Sequence, residues 1–234
     1  MPDSHSSQSS PQRILLSWSS GKDSAWALHV LRADPRFEVV GLLTSVNERH
    51  ERVAMHGVRD SLLRAQAEAV GLPLHVVDLP SPCSNDEYEA RFIAATKLAA
   101  DQGVEGLAFG DLFLADVRAY RERLMEATGL AAHFPLWGRE TSALAAEMLA
   151  GGTKAVLTCV DPRACPRSFA GREYDQSLLD DLPVGVDPCG ENGEFHTFTY
   201  AGPAFGRELC VERGEVVERG GFVFADVLAT PEPA

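Results

Sequence analysis

The chain has 234 residues, of which 21 are Lys or Arg and 34 are Asp or Glu, giving a formal net charge of -13. That length covers one large domain or two modest ones, each able to bury its own core without a metal or disulfide staple. The acidic balance argues against a broad nucleic-acid or anionic-membrane surface and leaves small-molecule or protein substrates. The five cysteines, Cys83, Cys159, Cys165, Cys189 and Cys210, are odd in number and form no C-x-x-C pair, as expected of reduced thiols in a cytoplasmic protein. No apolar run approaches the about 18 residues of a membrane span, and the Ser-rich start, residues 1–12, lacks the apolar centre of a signal peptide. A disordered tail is expected there, with a second short tail at 229–234.

In chain order, strand-like and helix-like patterns alternate, which predicts an α/β fold with a parallel sheet between helices. RILLSW (13–18) reads as a strand. The helix that starts near Asp23 is stopped at ADPR, where Pro35 disfavours a helical Asp34. FEVVGLL (37–43) is the second strand. Val58, Leu62, Ala65 and Ala69 then recur at helical spacing, and Gly71 can supply a left-handed cap before the strand LPLHVVDL. The next helix opens with Ser84 and Glu87 in capping-box spacing and carries Tyr88 and Phe92 one turn apart. The strand VEGLAFG (104–110) leads to a helix with Val117, Tyr120 and Leu124 on one side, then HFPLWG, a further helix at 141–152 and the strand KAVLTCV. From about Thr197 the pattern changes to short antiparallel β elements, and a domain boundary is expected near 129–135.

The stretch SSGKDS, Ser19 to Ser24, falls between the first strand and first helix, where backbone N–H groups and a helix N-terminus converge on an anion site. A Walker A loop would need Gly where Leu16 stands and Ser or Thr where Asp23 stands, and G-x-G-x-x-G is absent. The hexapeptide instead resembles the S-G-G-x-D-S pyrophosphate loop of the N-type ATP pyrophosphatases, with Ser20 where Gly is usual. MHGVRDSLLRAQAEAVGLPL, FGDLFLADVRAYRERL, PLWGRE and CGENGEFHTF (Cys189 to Phe198) resemble blocks of the diphthine-ammonia ligase family, more closely its bacterial branch. Asn192 stands where that family usually has Gly, and the Y-Q pair of many members is missing from GDLFLADVRAY.

The resemblance implies a doubly wound, mostly parallel five-stranded sheet of the adenine nucleotide alpha hydrolase-like kind with a smaller C-terminal α+β part. It implies a nucleotide-binding domain over 13–130 and a substrate-side domain over 131–228. The implied reaction is amide formation: a substrate carboxylate attacks the α-phosphate of ATP, pyrophosphate leaves, and ammonia displaces AMP from the acyl-adenylate. Ser17, Ser19, Ser20, Gly21, Lys22 and Ser24 would hold the pyrophosphate with Mg2+, and Asp23 would bind that metal. Leu43 and Thr44 would meet adenine, with His56, Gly110 and Asp111 completing the nucleotide site. Glu191 and Glu194 would line the acceptor side beside Lys22 and Asp23 as catalytic groups.

Plainer readings stand beside these. Asp23 is also a good helix-start carboxylate, Asp111 a good N-cap, and His56 a capping or surface group. Glu-Asn-Gly-Glu is also ordinary turn chemistry. Arg118, Arg121 and Arg123 are expected on a solvated face with Glu122 and Glu126, and Trp137 in packing. A homodimer is among the assemblies expected. Two other functions fit the loop: a tRNA-modifying ATP pyrophosphatase, and a non-catalytic adenine-nucleotide-binding module.

Overall fold

The computed structural model describes residues 10–47, 52–53 and 58–231. The first strand, β1 (Gln12–Ser17), is apolar without alternation because both of its faces are covered, as in central strands of parallel sheets. Ile14 and Leu16 face one core and Leu15 faces the other. On the first side lie helices α1 (Lys22–Ala33) and α2 (Asp60–Val70), through Leu28, Leu31, Leu62 and Leu63. On the second lie α3 (Asn85–Asp101) and α4 (Ala115–Glu126), through Phe92, Leu124 and Met125.

Strand β2 (Phe37–Asn47) pairs parallel with β1 and with β4 (Leu74–Leu79), while β5 (Gly106–Ala108) pairs parallel with β1 and with β6 (Ala131–His133). A short β3 (Arg52–Val53) runs antiparallel to the end of β2. The parallel strand order is therefore β4-β2-β1-β5-β6. The element ends follow local chemistry. Asp34, next to Pro35, is extended at φ -97° and ψ 111°, Gly71 is left-handed at φ 69°, and the Ser84 hydroxyl accepts from Glu87 N at 3.2 Å.

KAVLTCV is a strand, as expected, and lies in the C-terminal part. It forms β7 (Lys154–Val160), which leaves the parallel sheet and joins an antiparallel one of order β8-β7-β10-β9, with β8 at Phe195–Ala201, β9 at Val211–Arg219 and β10 at Phe222–Ala229. The fifth parallel strand is β6. Helix α5 (Thr141–Ala150) and a short α6 (Gln176–Asp181) add Leu144, Met148 and Leu178 to the core that both sheets share. Residues of β7, β8 and β10 share one apolar core with β1, α1 and α2, so the second sheet closes over that face of the first. Among the described residues, no helix is long and apolar enough to cross a membrane.

Candidate active site

β1 delivers the chain to the edge formed by the carboxyl ends of the parallel strands, where Trp18 N donates to the Leu43 carbonyl at 2.7 Å. The turn into α1 is made at Ser20, which sits at φ 72°, the left-handed conformation that glycine adopts freely. Its carbonyl accepts from Thr199 N at 2.9 Å and from Gln66 Nε2 at 3.0 Å. Gln66 is fully buried. It also accepts from Trp18 Nε1 at 2.9 Å and donates to the Thr199 carbonyl at 2.6 Å, tying loop, α2 and β8 together. Ser24 Oγ donates to the Gly21 carbonyl at 2.9 Å and lies 3.2 Å from Ser19 Oγ, which accepts from Gly21 N. No side chain of the N-cap residue Gly21 blocks the start of α1.

Lys22 is 2% exposed. Its ammonium donates to both Asp23 oxygens, at 3.0 and 2.9 Å, and to the Cys189 carbonyl, and it lies 5.3 and 5.5 Å from the Tyr174 and Phe195 ring centres. Burial is the largest influence and works against this charge, but Asp23, Cys189 and Asp187 together offset it and hold the Lys22 pKa above the ordinary value. The group expected to grip pyrophosphate is thus already engaged beneath the loop. The Lys22 backbone N–H donates to Thr197 Oγ1 at 3.1 Å.

Loop, strand ends and helices enclose a cleft of about 720 Å³. Ser17, Ser19, Lys22, Asp23, Ser24, Leu43, Thr44, Gly110, Asp111 and Glu191 all reach it, whereas Ser20 is fully buried behind the loop. His56 lies outside the described residues. Thr44 Oγ1 and Asp111 Oδ2 are buried without hydrogen-bond partners among the described residues. Gly110 packs tightly: a Cβ there would stand 3.2 Å from Asp23 C and Ser24 N, so β5 leads straight onto the first turn of α1. Asp111 is not an N-cap, because α4 starts at Ala115 with Leu114 at its cap. Burial raises its pKa, and Arg121 opposes that rise.

Glu191 and Glu194 part company. Glu191 Oε1 accepts from Leu112 N at 2.7 Å and Phe113 N at 3.4 Å, which brings a C-terminal residue to the end of β5. Burial, with the charges of Asp23 and Asp111 adding, pushes its pKa up to about 7 against the lowering of the Leu112 N–H. Glu194 does not reach the cleft. It is 7% exposed and accepts through Oε1 from Asp187 N at 3.0 Å and Asn192 Nδ2 at 2.9 Å. Gly190 and Gly193 supply the left-handed positions of this turn, so Asn192 carries no conformational penalty and its amide serves Glu194.

Several lining residues were not assigned to the site from the sequence: Tyr88, Asp116, Tyr120 and Arg121 from α3 and α4, which read only as helix faces, and His196 and Thr197 from β8, which fall within the CGENGEFHTF block. Burial lowers the His196 pKa to about 4, leaving a neutral imidazole. Arg121 corrects the expected solvated face: it turns into the cleft, over the Phe109 ring at 5.1 Å. Arg118 pairs with Glu122 at 2.8 Å and covers Phe134 and Trp137, which leaves Trp137 in packing. Among the described residues, no three His, Cys, Asp or Glu side chains cluster closely enough to hold a metal alone.

A left-handed turn at Ser20 feeding a helix N-terminus at the carboxyl edge of a parallel sheet is the arrangement of an adenine nucleotide alpha hydrolase-like protein. Residues 12–132 match the diphthamide synthase N-terminal domain and residues 140–226 the diphthamide synthase C-terminal domain, and the chain belongs to that family. It is 29% identical over 177 residues to a diphthine–ammonia ligase of Danio rerio, covering 69% of each chain. With the Bos taurus diphthine–ammonia ligase it is 30% identical over 176 residues, 69% of this chain and 66% of that one. A Schizosaccharomyces pombe diphthine–ammonia ligase is 23% identical over 220 residues, 86% of this chain and 36% of its own. The chain spans about two thirds of the length of the animal relatives.

Proposed function

We propose that the protein activates a substrate carboxylate with ATP and transfers the acyl group to ammonia. It is an enzyme, an ATP-dependent ammonia ligase of the diphthamide synthase family. The carboxylate oxygen attacks the α-phosphorus, and the bond to the bridging oxygen breaks to release pyrophosphate. Ammonia then adds to the acyl carbon and AMP departs with the former carboxylate oxygen. The observation that carries this reading is that Glu191, from the C-terminal half, is bound to the backbone at the end of β5 and shares one cleft with the loop at α1.

In this reading residues 13–130 bind the nucleotide and 131–228 close the substrate side. The N-terminus of α1, with Ser19 and Ser24, holds the pyrophosphate, and Leu43 and Thr44 meet adenine. Lys22 acts from beneath, as the charge that offsets Asp23 and fixes the loop against Cys189. Mg2+ typically takes one or two carboxylates plus phosphate oxygens, and Asp23 with Asp111, whose Oδ2 accepts no hydrogen bond among the described residues and faces Arg121 at 3.7 Å, fit such a partial set. When bound, the ion offsets phosphate charge. Glu191, poised near neutrality, takes a proton from ammonium so that ammonia can attack. Glu194 acts through Asn192 and Asp187, as a positioning residue for the turn that presents Glu191.

Sulfur insertion is disfavoured, because the Cys189 thiol at the cleft is pushed up to about 12 by burial and is therefore a poor nucleophile. The test is product analysis with ATP, ammonium and candidate carboxylates, beginning with diphthine, the substrate that the relatives' names give. AMP and pyrophosphate formed together with amide support the proposal. ADP and phosphate as the main products refute it.

A further inference from the structure

Lys22 and Arg121 are the Lys and Arg side chains among the described residues lining the cleft, against Asp23, Asp111, Asp116 and Glu191. Lys22 is committed to Asp23 and the Cys189 carbonyl. Arg121 is not: its Nε is buried without a hydrogen-bond partner among the described residues, and it stands 3.7 Å from the equally unpartnered Asp111 Oδ2. That separation gives an ion pair and no hydrogen bond. The Phe109 ring under the guanidinium fixes its plane. Asp111 directly follows Gly110, whose Cα packs on the first turn of α1, so Arg121 stands next to the phosphate end of the cleft.

We infer that Arg121 is the anion receptor of the reacting centre, donating to the α-phosphate of the nucleotide and, after pyrophosphate leaves, to the phosphate of the acyl-adenylate. The inference rests on the nucleotide-site reading above. A guanidinium offers paired donors that match phosphate oxygens, and Asp111 keeps it oriented without occupying those donors.

Calorimetry with AMP and with adenosine, both without divalent cations, separates the phosphate contact from the rest of the site. Arg121→Gln is expected to weaken AMP roughly 10- to 100-fold, the span of a charge-assisted hydrogen bond, and to leave adenosine within about twofold. Arg121→Lys should recover part of the loss. A residue that merely supports the fold would move both ligands together. A co-crystal of the wild type with AMP gives an arm free of mutagenesis, in which the guanidinium should lie within hydrogen-bond distance of the phosphate. Equal AMP affinity in wild type and Arg121→Gln, or a phosphate placed away from the guanidinium, overturns the inference alone. Failure of the wild type to bind either ligand overturns the site reading and this inference with it.

Discussion

Ser20 holds a left-handed conformation that costs an L-residue about 1 kcal/mol, and its Oγ is buried without a hydrogen-bond partner among the described residues. Ser20→Gly removes both penalties and is expected to raise the melting temperature, despite the greater freedom of glycine in the unfolded chain. A lower melting temperature would mean that the hydroxyl contributes to the native loop. Glu191 carries the pH dependence. Its folded pKa, about 7, lies above the ordinary 4.5, so the folded state binds the extra proton in that window. Stability conferred by this group is therefore full below about 4.5, falls as pH rises, and is lost above about 7. Glu191→Gln should flatten that part of the stability profile and cut amide formation by ~10²-fold or more, with ATP affinity within a few-fold. An unaltered pH profile would refute the assignment. The loop and the block around Glu191 were legible as family resemblances because each is a short contiguous stretch. Gln66 and Arg121 were not, because their roles arise from partners distant in sequence, such as Thr199 for Gln66.

At the scale of elements, the approach of β5 to α1 sets the cleft. Gly110→Ala would press a Cβ against backbone at 3.2 Å, where no rotamer change can relieve it. A cost of about 1–3 kcal/mol in thermal unfolding is expected, together with weakened ATP binding, as the loop shifts. Unchanged nucleotide affinity would show that this contact does not position the loop. The same scale explains what the pattern concealed. β6 is only Ala131–His133, too short and too plain in composition to announce a strand. β7 is buried along almost its whole length, and such a run reads alike in a parallel or an antiparallel sheet. The outer strand β9 is charged and breaks register with β10 between Ala225 and Val227, devices that discourage edge-to-edge pairing. The opposite edge, β8, is met by the loop itself through Thr199 N and the Ser20 carbonyl.

Across the whole molecule, one apolar core runs from Ile14 and Leu62 to Val156, Phe198 and Val227, so the two sheets stabilise each other. A single cooperative unfolding transition is expected, coincident by calorimetry and by near-ultraviolet circular dichroism, and two separated transitions would contradict it. The α/β class was legible because the alternation of strand and helix patterns covers most of the chain. The closure of the second sheet over α1 and α2 was not, since nothing in local periodicity tells which face a distant sheet will cover. That closure brings Glu191 to the backbone after β5, in one cleft with the loop at α1, and the chemistry proposed for the cleft depends on it. The most direct test is to follow oxygen-18 from a labelled substrate carboxylate during turnover with ATP and ammonium. Acyl-adenylate chemistry places the label in the phosphate of AMP. Label recovered in inorganic phosphate alongside ADP would contradict it.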